Sequence, residues 1–237
     1  MSEDAVNNPF RITWIRRLGV RNLVLSIVIT YSLIMMLSLP FGLPFTSVIM
    51  ISIFDSIFYS LPPIRFKNHP VTALLAFSGA VGLPFLAGLA VINKLSLINP
   101  YFIIFTLFML TYGSVKNIPD LLGDKLAGLK TTATAFGDFR KAVTVSAILL
   151  LSPYLLLVLF FGMGILDRVY LLNVPFMAFP LYWAYRNLKT DGREVMEKLH
   201  TYGFIYAVSF FLFNMMLTYS SFISITITVS VLTIILL

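Results

Sequence analysis

Long apolar runs dominate this chain and leave few folds open to it. Hydrophobic residues make up 59% of its 237 positions, and a helix needs roughly 20 apolar residues in a row to cross the hydrocarbon core of a bilayer. Candidate spans occur at residues 22–40, 44–61, 71–92, 99–115, 142–163, 168–185, 199–218 and 221–237. The pattern predicts an all-α protein, a polytopic bundle of transmembrane helices.

The number of spans depends on the C-terminal end of the chain. Only a polar patch around Tyr219 and Ser220 separates the last two runs, so residues 199–237 form either two helices or one long or broken helix. The bundle then has seven or eight spans. No low-complexity linker interrupts it, and we expect residues 1–237 to form a single membrane-embedded domain. The N-terminal residues are polar and basic, so no cleavable signal peptide is predicted.

The distribution of cations predicts the orientation of the bundle. Of the 17 Lys and Arg residues, all except Lys94 and Arg168 fall on one set of alternating connections. By the positive-inside rule, that cation-rich side is cytoplasmic. The net charge of +7 then follows from topology and from contact with anionic lipids, without a nucleic-acid partner. The absence of cysteine excludes disulfides and thiolate metal sites.

Two carboxylates lie where this chain tolerates charge least. In residues 112–137, YGSVKNIPDLLGDKLAGLKTTATAFG, Asp120 and Asp124 adjoin membrane spans, although only 11% of all residues are charged. A spacing of four places both on one face of a helix, and Asn117 extends that face by a turn. Such oxygen ligands suit Mg²⁺, which commonly completes its coordination with phosphate oxygens. The alternative is a solvated loop whose acids merely balance its lysines.

A second segment, YSLPPIRFKNHP at residues 59–70, combines a proline pair with two cations. We expect Pro62 and Pro63 to end the preceding helix and hold the chain extended, so that Arg65 and Lys67 lie on the same side. A guanidinium fork beside an ammonium group suits a diphosphate. The alternative is that both cations are ordinary anchors at the cytoplasmic face.

Asp55 is an acidic residue inside an otherwise apolar run, one turn before Tyr59. Ionisable residues within membrane spans are costly and usually face a cavity or a partner. Three interpretations stay open: a hydrogen bond with Tyr59, a position in the active cavity, or contact with interfacial water.

Both polar segments resemble motifs of the UbiA-type membrane prenyltransferase superfamily. DLLGDKLAGLKT at residues 120–131 is similar to the family's second aspartate-rich motif, DxxGDxxxGxxT, and YSLPPIRFK at residues 59–67 is similar to its Tyr…Pro-Pro…Lys segment. The resemblance covers essentially the whole chain. It implies a UbiA-like helical bundle with a central cavity open to lipid, in which Mg²⁺ held by two aspartate-rich motifs supports transfer of a prenyl group from a diphosphate to an acceptor.

The first aspartate-rich motif departs from the family pattern. Residues 4–11, DAVNNPFR, are similar only to the tail of the family's NDxxDxxxD motif, with Asp4 as its last aspartate. On this comparison the first two family helices are missing, and Asn117 stands where many relatives have a further aspartate. We therefore expect a UbiA-like fold of seven to eight spans that lacks the first two family helices.

The resemblance implies a role for each candidate site residue. The metal ligands are the motif carboxylates Asp120, Asp124 and Asp4, and the first two are also catalytic. The substrate-binding residues are the neighbouring cationic and polar residues Arg65, Lys67, Lys130, Lys116 and Asn117. Tyr59 is a catalytic candidate that orients the phosphate or the acceptor.

The leading hypothesis is Mg²⁺-dependent transfer of a prenyl group from an isoprenoid diphosphate to an aromatic or lipid acceptor at the cytoplasmic membrane face. The alternative is a catalytically reduced homologue that binds isoprenoid lipid or a partner protein. A transporter is disfavoured because few ionisable residues other than Asp55 lie within the spans. Nothing in the sequence selects the acceptor.

Overall fold

The computed structural model describes residues 17–189 and 192–219. Every regular element in these residues is helical, which confirms the all-α prediction. The α-helices are α1 (Val20–Ser38), α2 (Leu43–Ser60), α3 (Pro70–Val91), α4 (Pro100–Lys116), α5 (Leu121–Leu126), α6 (Thr132–Ala135), α7 (Phe139–Leu149), α8 (Ser152–Gly162), α9 (Ala178–Lys189) and α10 (Gly192–Tyr219). The same residues contain 3₁₀ segments at Leu39–Phe41, Phe66–Asn68 and Arg168–Met177.

Four segments of the described chain are long and apolar enough to cross a membrane. They are Val20–Phe41, Leu43–Ser60, Pro70–Val91 and Phe139–Gly162. Pro100–Lys116 and Thr201–Asn214 are shorter apolar helices. The predicted span at 221–237 lies outside the described residues, so the count of seven or eight spans stays a prediction.

The predicted span at residues 168–185 does not form one continuous α-helix. The 3₁₀ segment Arg168–Met177 occupies its first half and contains Pro175, and α9 begins only at Ala178. A proline inside a helix has no backbone N–H to donate and its ring clashes with the preceding turn. The chain accordingly has a 3₁₀ conformation around Pro175 and becomes α-helical only in α9.

The contacts of the described chain form two compact units. The first comprises residues up to Leu110 together with Asp120–Ala135, and the second comprises Thr111–Pro119 together with the residues from Phe136 onward. The single domain expected over residues 1–237 stays a prediction.

The first unit is built on the packing of α2 along α3. Val48, Leu86 and Ala87 are its buried apolar centre, and Phe102 of α4 packs against them. The connection from α1 to α2 is tight, because Gly42 adopts a φ of +86° that side-chain-bearing residues rarely take. This short connection positions α1 against α2.

The second unit packs α7 against α9, and the 3₁₀ segment Arg168–Met177 against both α8 and α10. Its largest fully buried side chains include Tyr154 and Phe210, whose rings meet edge to face. The hydroxyl of Tyr154 also hydrogen-bonds that of Tyr206. The two buried tyrosine hydroxyls are thus each other's hydrogen-bond partners, and polar groups in an apolar interior need such partners.

Candidate active site

Asp120 and Asp124 lie at the start and in the middle of the short helix α5. Asp120 precedes the helix as its N-terminal cap residue, and the backbone N–H of Asp124 donates to the carbonyl of Asp120 at 2.9 Å. The two acids are therefore one helical turn apart, as their spacing predicts. Asp124 is only 6% exposed, whereas Asp120 is half-buried.

The end of α5 depends on a glycine. Gly128 has a φ of +68°, and the following N–H of Leu129 donates back to the carbonyl of Asp124 at 2.9 Å. This is the left-handed residue with which many helices terminate. It turns the chain from the carboxylate helix toward the threonines that follow.

The threonines hold the loop after α5 in place. The Thr134 hydroxyl accepts from the backbone N–H of Thr131 at 2.9 Å and donates to the carbonyl of Leu129 at 2.9 Å. Thr131 and Thr132 are buried, and helix α6 contacts both α5 and α3. The carboxylate helix is thus tied to a membrane-spanning helix, while Lys130 stays exposed in the loop.

Asn117 is not on the helix face of the two acids, so that part of the prediction is wrong. Helix α4 ends at Lys116, and residues 117–120 form a turn. Pro119 has no N–H to continue the helical hydrogen-bond ladder, and the N–H of Ile118 instead makes a tighter bond to the carbonyl of Val115 at 3.1 Å. Asn117 and Lys116 therefore belong to a different element from Asp120 and Asp124.

The segment after α2 is more compact than its proline pair predicts. The N–H of Arg65 donates to the carbonyl of Leu61 at 3.1 Å, and Lys67 lies within the 3₁₀ segment Phe66–Asn68. The expected extended alternation of the two cations is therefore wrong, because hydrogen-bonded turns replace it. Both side chains are half-buried.

Arg65 has an unusual backbone conformation. Its φ of 44° and ψ of 67° lie in the left-handed region. Among the described residues, Asn93 is the only other non-glycine residue with a positive φ. Left-handed non-glycine residues are strained and are often found at functional sites. A further contact fixes the segment, since the Thr72 hydroxyl of α3 donates to the carbonyl of Phe66 at 2.7 Å.

Tyr59 and Asp55 face the same space between α2 and α3. Both line a cavity of about 270 Å³, and Asp55 also lines an adjoining cavity of about 320 Å³. The interpretation of Asp55 as a cavity residue is therefore the one the structure favours. Gly79 of α3, which the sequence did not single out, lines both cavities. The signal for it was the run of small residues around Ser78 and Gly79 within an apolar span.

The model of the UbiA prenyltransferase family matches residues 1–215. The chain belongs to the UbiA prenyltransferase family. The four segments of the described residues that are long and apolar enough to cross a membrane agree with membership of a membrane-protein family.

Curated relatives of this UbiA chain carry prenyltransferase and elongase names. A 2-acylphloroglucinol 4-prenyltransferase of Humulus lupulus is 28% identical over 165 residues, which is 65% of this chain and 40% of that protein. A lycopene elongase/hydratase of Haloferax volcanii is 38% identical over 93 residues, which is 37% of this chain and 29% of that protein. The chain thus spans about two fifths or less of the length of these relatives. No solved structure matches it.

The donor set of α5 fits Mg²⁺. Two carboxylates one turn apart, without His or Cys, match the one or two protein carboxylates that usually hold this ion beside substrate phosphates. Within residues 17–189 and 192–219 there is no group of three or more His, Cys, Asp or Glu side chains that could hold a metal by itself. Asp4, the third predicted ligand, lies outside the described residues.

Proposed function

We propose that this UbiA-family chain transfers a prenyl group from an isoprenoid diphosphate to a hydrophobic acceptor, aromatic or lipid, in a Mg²⁺-dependent reaction at the cytoplasmic membrane face. The observation that carries the proposal is the Asp120–Asp124 pair on a helix tied to α3 through α6. The prenyltransferase name of a relative supports a prenyl diphosphate as donor.

The reaction breaks the bond between the allylic carbon and the diphosphate oxygen, and the electron pair leaves with the diphosphate. A new bond forms between that carbon and the nucleophilic atom of the acceptor, which releases a proton. Asp120 and Asp124, with Asp4, would hold Mg²⁺, and the ion would neutralise charge on the departing diphosphate.

The cations of the first unit supply further stabilisation of the leaving group. Arg65 can present a bidentate fork to phosphate oxygens, and Lys67 and Lys130 can each add a point charge. Such groups act most strongly where water is excluded. The apolar helices provide that environment and protect the allylic carbon from hydrolysis. Tyr59 then orients the phosphate or the acceptor.

The proposed cytoplasmic position of the site follows from the distribution of Lys and Arg along the chain. The segments that contain Arg65, Lys67, Lys116 and Lys130 fall on the cation-rich side of the chain. By the positive-inside rule, that side faces the cytoplasm. Cysteine-scanning accessibility at Lys130 and Lys94 in right-side-out vesicles checks this orientation, and we expect only position 94 to react with an impermeant reagent.

The deciding experiment is carboxylate replacement in the full chain. We expect Asp120→Asn and Asp124→Asn each to lower Mg²⁺-dependent diphosphate release from an isoprenoid diphosphate by roughly 10²- to 10³-fold, the usual loss for one charge-stabilising group. Asp167→Asn, at an exposed acid before the 3₁₀ segment, is the matched control. Unchanged release in both variants would overturn the proposal.

The same assay tests the alternative of a reduced homologue that only binds isoprenoid lipid. The motivation for it is the departure at residues 4–11, where Asp4 is the one aspartate of the first aspartate-rich motif that is recognised. Tight binding of an isoprenoid diphosphate without release of diphosphate, with a range of aromatic and lipid acceptors, would favour that alternative over catalysis.

A further inference from the structure

The groove between α2 and α3 combines apolar walls with one carboxylate. Its two adjoining cavities, of about 270 and 320 Å³, share Asp55, Ala76, Gly79 and Leu83. Together they are in the size range of pockets for small ligands. A ligand that fits this groove is mostly apolar and has a polar group at the position of Asp55.

The other hydroxyls along this groove already have partners. The Ser52 hydroxyl donates to the carbonyl of Val48 at 2.9 Å, and the Ser56 hydroxyl hydrogen-bonds the Tyr31 hydroxyl of α1 at 2.6 Å. Within the described residues, by contrast, the Asp55 carboxylate has neither a hydrogen bond nor a salt bridge. Asp55 is thus a side-chain acceptor in this groove to which no described residue donates.

Gly79 makes room for the carboxylate against α3. A Cβ at this position would lie 3.0 Å from Asp55 Oδ2 and 3.6 Å from Asp55 Cγ. The separation of 3.0 Å is shorter than most real Cβ contacts, whereas 3.6 Å is an ordinary van der Waals contact. The absence of a side chain at Gly79 therefore permits the position of the carboxylate at the junction of the two cavities.

We propose that Asp55 binds a hydroxyl group of the prenyl acceptor, whose apolar body occupies the adjoining cavities. The inference rests on the proposed prenyl transfer and names the acceptor class, a hydrophobic molecule with a hydrogen-bond-donating hydroxyl. A hydroxyl enters an apolar groove at a lower desolvation cost than an ammonium group, and its bond to a carboxylate is charge-assisted. A purely apolar occupant would leave the carboxylate unpaired, which is costly.

Direct binding to the purified full chain tests the hydroxyl. The probes are 4-octylphenol and its methyl ether 4-octylanisole, measured without isoprenoid diphosphate or Mg²⁺. We expect the phenol to bind at least about 10-fold more tightly than the methyl ether, because a hydrogen bond to a charged group contributes about that much affinity. The preference disappears in Asp55→Leu and persists in part in Asp55→Asn, which keeps an acceptor oxygen. Equal binding of both probes to the unmodified protein would overturn the inference.

A glycine pair on α3 provides the matched control. In Gly79→Ala the new methyl group displaces the carboxylate, and we expect the preference for the phenol to fall several-fold. A Cβ at Gly88 of the same helix meets no atom within 4 Å, so Gly88→Ala keeps the preference. An unchanged preference in both Gly79→Ala and Asp55→Leu would show that the hydroxyl binds elsewhere.

Kinetics separate this inference from prenyl transfer itself. Once an acceptor is turned over, Asp55→Asn raises its KM while kcat and the KM for the isoprenoid diphosphate stay unchanged. Loss of transfer in Asp120→Asn with an intact phenol preference supports both proposals. If the unmodified protein prefers the phenol but transfers no prenyl group, only the proposed function is refuted. The acceptor inference survives, because the binding assay contains no prenyl donor.

Discussion

The backbone N–H of Asp124 donates to the carbonyl of Asp120 at 2.9 Å, which sets the two acidic residues one helical turn apart. Asp124 is 6% exposed and Asp120 is half-buried. The acids therefore have unequal access to solvent, although one short helix presents both. Under the proposed function, both carboxylates serve one Mg²⁺ site beside the diphosphate.

The double variant Asp120→Asn/Asp124→Asn tests whether the two carboxylates act as a unit. Groups that serve one centre are strongly non-additive. We expect each single variant to release diphosphate roughly 10²- to 10³-fold more slowly than the unmodified protein. The double variant should then be at most about 10-fold slower than the less active of the two single variants. Multiplicative losses would show that the two acids act independently. Circular dichroism of each variant verifies that the helices are intact.

Arg65 combines a strained backbone with a proposed phosphate contact. Arg65→Gly fits the φ of 44° without a Cβ clash, so the free energy of unfolding changes by less than about 1 kcal/mol. Loss of the guanidinium nevertheless weakens isoprenoid diphosphate binding by about 10-fold or more. The affinity of Arg65→Lys for the diphosphate is intermediate, because lysine keeps the charge but lacks the two-pronged guanidinium group.

The control for Arg65 is Lys94→Ala, at an exposed cation on the opposite set of connections. Its affinity for the diphosphate stays unchanged. Equal affinities of Arg65→Gly and the unmodified protein in a direct binding assay would remove Arg65 from the site.

Gly82 of α3 lies against two side chains of α4. A Cβ there would lie 2.8 Å from Thr106 Oγ1 and 3.2 Å from Phe102 Cε2. We expect Gly82→Ala to destabilise the protein by about 1–3 kcal/mol, the usual cost of overpacking. Thermal unfolding in detergent measures the loss, with Gly88→Ala as the unstrained control.

Thr106 offers a rescue of that clash. Its Oγ1 is buried and has no hydrogen-bond partner among the described residues, so Thr106→Ala alone has little cost. The double variant Gly82→Ala/Thr106→Ala regains most of the lost stability, because the closest atom is gone. No recovery would place the strain at Phe102 instead.

The sequence predicts the helical class and the paired acids because both depend on local spacing. Apolar runs specify membrane helices, and a spacing of four places Asp120 and Asp124 one turn apart wherever a helix forms. Asn117 was misplaced because the helix ends at Lys116, and helix ends are set by only a few hydrogen bonds. The compact turn at Arg65 escaped prediction for the same reason.

The surroundings of Asp55 could not be predicted from spacing at all. Its neighbour Gly79 belongs to the next helix, and which residues of two helices meet depends on how their side-chain ridges pack. The sequence left Asp55 with three equal interpretations. Packing of α2 against α3 favours the cavity position.

The buried amides of Asn173 and Asn214 bond each other in both directions. Asn173 Nδ2 donates to Asn214 Oδ1 at 2.9 Å, and Asn214 Nδ2 donates to Asn173 Oδ1 at 2.7 Å. We expect Asn214→Leu to lower the free energy of unfolding by about 1–2 kcal/mol, because the buried Oδ1 of Asn173 loses its donor, although Asn173 Nδ2 still donates to the carbonyl of Tyr170. The double variant Asn173→Leu/Asn214→Leu costs less than the sum of the single variants. Unfolding in mixed micelles measures this cycle, and strict additivity would contradict the pairing.

Asp138 gives the start of α7 a dependence on pH. Its Oδ1 accepts from the backbone N–H of Lys141 at 2.8 Å, and this bond to the charged form holds the pKa of Asp138 below its ordinary value of 3.8. The proton therefore binds more weakly in the folded chain than in the unfolded chain. The resulting stabilisation is complete above the unfolded pKa and disappears as the pH falls through the lower folded value.

Asp138→Asn isolates that charge, since asparagine also caps helices. We expect the thermal stability of the unmodified protein to approach that of Asp138→Asn as the pH is lowered from 6 to below about 3.8. Asp138→Ala is less stable than both at pH 6, because it lacks a side-chain acceptor for the Lys141 N–H. The difference is small, since the carboxylate is exposed and water competes for it. A gap between the unmodified protein and Asp138→Asn that widens on acidification would contradict the lowered pKa.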